Sequence, residues 1–244
     1  MIKQITAVLL LSSILLPQGV SALNFTGGGV ALTANPKVSG EPTTAFTFMV
    51  WYRATTTAIT STLISATTSG AVQSQTFMRM QAGGGVHNMR CQVNAGGSTT
   101  IVNDTGSVLP AGKWHHAWCK YDGATITTGK NGTPGVSAAK TGALAPFFRY
   151  AIGGLWGAPG AIYPPHTLAM SGQMAEMMVF NRALSNQELK EYYYSGQINP
   201  TGLVHYWPLA VDGADFTNMG SHATSTSGTE TRKGLPPTRS SLRR

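Results

Sequence analysis

The stretch SGQMAEMMVFNRALSNQELKEYYYSG, from Ser171 to Gly196, decides the fold because a strand, a corner and a capped helix follow one another within it. The apolar residues of its first half predict a strand that is buried along most of its length. A helix is predicted near Asn186 to Tyr194, because Ser185 and Glu188 have the spacing of a capping box. The glycine at its end closes that helix.

The rest of the chain consists of short apolar runs between turn residues, a rhythm typical of a β-sandwich. Turn signals include the glycine run 83–85, the pair 96–97 and the Asn-Gly pair 131–132. Charged residues make up only 11% of the chain and glycine contributes 29 residues, which argues against disorder and against a helical bundle. The candidate strands are Asn24-Phe25, Val30 to Leu32, Ala45 to Arg53, Leu63 to Ser65, Thr76 to Gln81, Asn88 to Val93, Lys113 to Tyr121, Ala124 to Thr128, Tyr150 to Gly153, Gly172 to Phe180 and Leu203 to Leu209.

Four motifs in a fixed order carry a family resemblance. They are FTFMVW from Phe46 to Trp51, KWHHAWCKYDG from Lys113 to Gly123, the glycine turn at Gly153-Gly154 and GLVHYWPL from Gly202 to Leu209. Together with the strand, corner and helix, they resemble the laminin-G-like and pentraxin-like domains of the concanavalin A-like superfamily. The resemblance implies an all-β fold, a two-sheet antiparallel jelly-roll sandwich with one short C-terminal helix.

Segments of distinct composition at the two ends of the chain set the predicted domain boundaries. Residues 1–22 have a positive residue, an apolar run and a small-residue cleavage site, which predicts a signal peptide and a secreted or cell-surface protein. Residues 23–228 form the predicted jelly-roll domain. Residues 229–244 form a basic tail, predicted to be disordered or to contact an anionic surface. The tail carries Arg232, Lys233, Arg239, Arg243 and Arg244 against Glu230.

Two cysteines, Cys91 and Cys119, lie in separate predicted strands. In an exported chain an even pair favours a disulfide, and two buried free thiols are the alternative. The resemblance supports the disulfide, since the pentraxin family bridges two strands at similar places.

No pattern of catalytic residues is found. Glycosidases of this fold use carboxylates clustered on one strand, whereas Glu176 has no partner carboxylate nearby in the sequence. His115 and His116 are adjacent, so on a strand they point to opposite faces and cannot chelate one metal together. We therefore expect no enzyme, and a glycoside hydrolase is the third hypothesis for the function.

Recognition is the first hypothesis: a non-catalytic module that binds a carbohydrate or glycoprotein. Trp156, Tyr163 and His166 lie on a predicted loop where aromatic rings can stack on a sugar, unless they only pin that loop to the sandwich. Asn103 and Asp104, in a predicted loop before the WHH strand, are a second candidate rim with oxygen ligands. Turn formation is the alternative role for these two.

A structural or assembly protein, such as a virion or surface-layer subunit, is the second hypothesis, and it includes self-association of the domain. The pentraxin resemblance implies calcium, yet residues 154–169 contain no carboxylate. Because calcium needs six to eight oxygen ligands, usually including charged ones, we expect no pentraxin-type calcium site and no other cofactor. No motif for specific nucleic-acid binding is present.

Overall fold

A computed structural model of the chain describes residues 22–26, 32–34, 39–67, 75–155, 168–209 and 224–225. The predicted signal peptide, the tail and the loop of Trp156, Tyr163 and His166 lie outside these residues. The strands are β1 Leu23–Thr26, β2 Leu32–Ala34, β3 Phe46–Ala54, β4 Ser61–Thr67, β5 Thr76–Gly83, β6 Val86–Ala95, β7 Ser98–Leu109, β8 His115–Tyr121, β9 Thr125–Lys130, β10 Thr133–Ala139, β11 Arg149–Ile152, β12 Ser171–Phe180, β13 Leu203–Trp207 and β14 Thr224–Ser225. The helix α1 is Asn186–Ser195.

The strands form two antiparallel sheets. Sheet A has the order β1-β12-β3-β8-β9-β10, and β13 also pairs with β12. Sheet B has the order β14-β2-β11-β4-β5-β6-β7. Neighbouring strands often come from distant parts of the sequence, as in a jelly roll, and this confirms the predicted two-sheet sandwich.

Two glycine turns set the register of sheet B. Gly84 and Gly85, with φ angles of 58° and 79°, join β5 to β6. Gly96 and Gly97, with φ angles of 55° and 76°, join β6 to β7. Both pairs have the positive φ angles of a type I′ turn, which connects strands through two residues and so fixes which residues lie opposite each other.

The core lies between the two sheets. Alternate residues of β3 point into it, and Phe46 and Phe48 pack there on Phe147 from the segment before β11. At one end of the core, Glu41 links the sheets, because it contacts His205 of sheet A at 2.6 Å and accepts a hydrogen bond from the hydroxyl of Tyr150 of sheet B. The interior is therefore mainly aromatic and apolar, and Glu41 joins the two sheets through polar contacts.

The helix covers the outer face of sheet A. The capping box is confirmed, since Glu188 N–H donates to Ser185 Oγ at 3.1 Å and Ser185 N–H donates to Glu188 Oε2 at 2.8 Å. Gly196 adopts the left-handed C-cap conformation. Leu189 and Tyr192 of the helix pack on an apolar layer that includes the buried Trp118. This leaves sheet B as the sheet whose outer face is not covered by the helix.

The candidate strands from the sequence omit three strands of the structure, β7, β10 and β14, of which β7 is the longest. The prediction of a loop at Asn103 and Asp104 is wrong, because both residues belong to β7. The signal for this strand is the turn at the glycine pair 96–97 followed by four β-branched residues at 99–102, because such residues favour strands.

Candidate functional site on sheet B

A polar row crosses the outer face of sheet B. Thr62 on β4 pairs with Arg79 on β5, Arg79 pairs with Arg90 on β6, and Arg90 pairs with Asn103 on β7. Paired residues project to the same side of a sheet, and Met78, Met80, Met89 and Cys91 occupy the alternating inward positions. We call Thr62, Arg79, Arg90 and Asn103 the arginine row.

The two guanidinium groups make few hydrogen bonds with the described residues. Arg90 Nη1 donates to Gln81 Oε1 at 3.1 Å, while the Arg79 guanidinium lies over the Phe77 ring, 4.6 Å from its centroid. Within the described part of the chain, neither Nε atom has a hydrogen-bond partner, although both are buried. Burial, and then the charge of Arg90, lower the pKa of Arg79 to about 10. Burial also lowers the pKa of Arg90.

A second row lies beside the arginine row. Ser65 pairs with Phe77, Phe77 with Gln92 and Gln92 with Ile101. Phe77 and Gln92 are buried, whereas Ile101 is 39% exposed. Gln92 Nε2 donates to the backbone oxygen of Gln75 at 2.7 Å, so its amide serves the fold. The exposed groups beside the guanidinium groups are the Asn103 amide and the Ile101 side chain, a combination that sugar-binding sites use to contact both the hydroxyl groups and the apolar side of a ring.

The described acidic side chains have other places in the fold. Glu41 contacts His205, and Glu176 accepts a hydrogen bond from the Tyr192 hydroxyl. On and near the helix, Glu188 pairs with Arg182 at 2.6 Å and Glu191 accepts a hydrogen bond from Gln187. Asp122 accepts hydrogen bonds from the backbone of residues 124 and 125, and the carboxylate of Asp104 lies so close to Gly135 that a Cβ there would overlap it. In the described residues, then, no carboxylate neutralises the arginine row.

The predicted site residues Asn103 and Asp104 separate in the structure. Asn103 is exposed at the end of the arginine row. Asp104 is 7% exposed and points between the sheets, beside Gly135 and Thr128. Neighbouring residues of a strand face opposite sides, so the two cannot form one rim. Trp156, Tyr163 and His166 lie outside the described residues, and their role stays a prediction.

The histidines and Glu176 show how the other candidate residues are used. His115 points into the core beside Tyr52, and His116 points to the helix side, 5.3 Å from the Trp51 ring, which confirms their opposite orientation. Burial lowers the pKa of His115. Glu176 is buried under the helix next to Tyr192. No three His, Cys, Asp or Glu side chains cluster as metal ligands in the described residues.

Cys91 of sheet B and Cys119 of sheet A meet in the core as buried thiols. Burial, and then a hydrogen bond with Cys119, raise the pKa of Cys91. The two side chains are therefore neighbours, and the disulfide between them stays a prediction.

The arginines of the row were not among the residues singled out from the sequence. Their signal is the alternation in Phe77-Met78-Arg79-Met80 and again in Met89-Arg90-Cys91, where the apolar residues face inward. When each of two neighbouring strands carries a basic residue between two inward-facing apolar residues, both basic residues lie on the outer face of the sheet.

A family model confirms the sequence resemblance. The laminin G model described as the concanavalin A-like lectin/glucanases superfamily matches residues 25–190. The chain belongs to this superfamily. No curated protein sequence matches the chain significantly.

Solved structures of the superfamily share the fold at low sequence identity. A heptameric SAP-like pentraxin from Limulus polyphemus has a TM-score of 0.66 at 17% identity, and the match covers 91% of this chain and 97% of the pentraxin. A putative carbohydrate binding protein from Bacteroides ovatus has a TM-score of 0.64 at 20% identity, over 91% of this chain and 62% of that one. The Ruminococcus gnavus IT-sialidase CBM40 bound to alpha2,3 sialyllactose has a TM-score of 0.53 at 15% identity, over 75% of this chain and 100% of the module.

Proposed function

We propose that this chain is a non-catalytic carbohydrate-binding module that acts outside the cell, and that it binds glycans on the outer face of sheet B. One observation carries the proposal: the arginine row and its neighbouring row place guanidinium, amide and apolar side chains together on the sheet face that the helix leaves uncovered. The superfamily supports it, because the similar structures include one described as a putative carbohydrate binding protein and a module bound to sialyllactose.

Extracellular action is supported by the predicted signal peptide in residues 1–22. It is also compatible with the observation that no helix among the described residues is long and apolar enough to cross a membrane. The separate positions of the described carboxylates support the non-catalytic role, since glycoside hydrolysis needs two of them on either side of one bond.

A glycan array tests this function with the full chain, screened once with calcium and once with a chelator. We expect selective binding that Asn103→Ala weakens, because this exposed amide lies at the end of the arginine row. The pair Trp156→Ala and Tyr163→Ala tests the predicted loop in the same screen. A folded chain that binds no glycan would contradict the proposal and favour the assembly hypothesis.

A further inference from the structure

Arg79 and Arg90 concentrate positive charge on one small area of sheet B. They lie directly opposite each other on β5 and β6. Side chains in this relation have Cβ atoms about 5 Å apart, and like charges placed so destabilise a sheet. The lowered pKa of Arg79 has the charge of Arg90 as its second cause, after burial. The folded chain therefore keeps two repelling charges together.

Most hydrogen-bonding capacity of this pair is unused within the described part of the chain. A guanidinium group carries five N–H donors. Arg90 donates one bond, to Gln81, and Arg79 contacts the face of the Phe77 ring. Neither Nε atom has a partner there. The side chains are thus positioned by packing, while their donors other than the two buried Nε atoms and the one bonded to Gln81 remain available to a ligand.

No acidic side chain of the described part of the chain lies beside the arginine pair. Every acidic side chain of the described residues is placed elsewhere, on the helix, at the turn after β8, beneath the helix or between the sheets. Guanidinium groups bind carboxylate and sulfate oxygens through paired hydrogen bonds, which are roughly twice as strong as bonds between neutral groups. An acidic group bound here would relieve the repulsion and use the free donors.

We infer that the arginine row selects acidic glycans and binds a carboxylate or sulfate group of the sugar between Arg79 and Arg90. This inference rests on the proposed carbohydrate-binding function and deepens it by naming the ligand class. Asn103, exposed beside Arg90, offers neutral hydrogen bonds at one end of the row. Exposed Ile101 in the neighbouring row offers an apolar contact.

The test compares four classes of immobilised oligosaccharide with the full chain: neutral, uronic-acid-bearing, sialylated and sulfated. The three acidic classes separate the sources of the anionic group. The central variant is Arg79→Gln with Arg90→Gln. Its matched control is Lys113→Gln with Lys190→Gln, which removes the same charge from exposed side chains away from the arginine row.

We expect the wild type to bind at least one acidic class more tightly than the neutral class. The Arg79→Gln, Arg90→Gln variant should lose about tenfold or more in affinity, while the lysine control stays within about twofold. Arg79→Lys keeps the charge but loses the planar fork, so its affinity should lie between those of the wild type and the glutamine variant. At low salt and without glycan, the glutamine variant should unfold at the same or a higher temperature, because the repulsion is gone.

The competing outcomes are distinct. If neutral glycans bind and the glutamine variant keeps full affinity, the inference fails and the carbohydrate-binding function stands. If the folded wild type binds none of the four classes, both fail. If acidic glycans bind equally to the glutamine variant but not to a full chain with Arg232, Lys233, Arg239, Arg243 and Arg244 changed to Gln, the tail is the anion-binding element and the inference is overturned.

Discussion

Oxidation of Cys91 and Cys119 would join the two sheets through the core. Cys91 projects inward from β6 of sheet B and Cys119 from β8 of sheet A, and both belong to the same buried cluster. The two thiols are close enough for Cys119 to contribute, after burial, to the raised pKa of Cys91. An exported chain meets oxidising conditions, in which such a pair forms a disulfide. For the extracellular function proposed above, we therefore expect the protein to carry this bond.

The size of the effect follows from the loop that the bond would close. The chain from Cys91 to Cys119 makes a loop of about 30 residues, for which loop closure in the unfolded state predicts about 3.5 kcal/mol of stabilisation. With a urea m-value of about 2 to 3 kcal/mol per M, the unfolding midpoint should move by roughly 1–2 M. This shift is large compared with the error of a urea titration.

The assay is urea unfolding of the protein purified under oxidising conditions, with and without reductant, followed by tryptophan fluorescence. The control is Cys91→Ala with Cys119→Ala, which should be less stable than the reduced wild type because of the cavity, and insensitive to reductant. Two thiols that titrate in the unfolded, unreduced protein would refute the reasoning. So would a midpoint that reductant leaves unchanged.

Two further predictions concern packing and pH. Gly129→Ala should cost about 3 kcal/mol in unfolding free energy, because its Cβ would overlap the buried Trp118 ring. Gly84→Ala, whose Cβ has no atom within 4 Å, should cost only about 1 kcal/mol through its φ of 58°, and equal losses in urea unfolding would contradict this. Hydrogen bonds from Arg182 are the first cause that lowers the pKa of Glu188 from 4.5 to about 2, so the ionised form stabilises the fold above pH 4.5 and this contribution is lost as pH falls toward 2. Glu188→Gln should therefore lower the free energy of unfolding at pH 7 by about 1 kcal/mol, since the ion pair is only partly buried, and the difference should shrink below pH 4.5, whereas a constant difference would exclude the ionic origin.

Local chemistry made the fold predictable. The capping box of Ser185 and Glu188 fixes the start of α1 from four consecutive residues, and Gly196 fixes its end. The turn at Asn131-Gly132 likewise follows from two residue types that tolerate positive φ angles. Such signals need no knowledge of distant contacts, so the sequence alone carries them.

The arginine row is also predictable from local sequence signals. Counting outward from the turn at Gly84-Gly85 places Arg79 opposite Arg90, and counting from Gly96-Gly97 places Arg90 opposite Asn103. The glycines predicted both turns, and a two-residue turn also specifies which residues of the two strands lie opposite each other.

The contact between Cys91 and Cys119 is harder to obtain from local patterns. It depends on how sheet A and sheet B stack, and no local pattern specifies that distance. The burial of Asp104 has the same origin, since it lies against Gly135 of the opposite sheet. Contacts between layers are properties of the tertiary structure.

The two glycine turns have a consequence for how this surface can change during evolution. Because strand residues alternate between faces, inserting one residue into either turn would exchange the inward and outward sets of a strand. Arg90 would then face the core and Cys91 the solvent. Substitutions at outward positions can alter ligand preference without disturbing the core, whereas changes of turn length would disrupt the core and the outer surface together. Variation in this lineage should therefore proceed by replacement along fixed strands, with the length of each turn held constant.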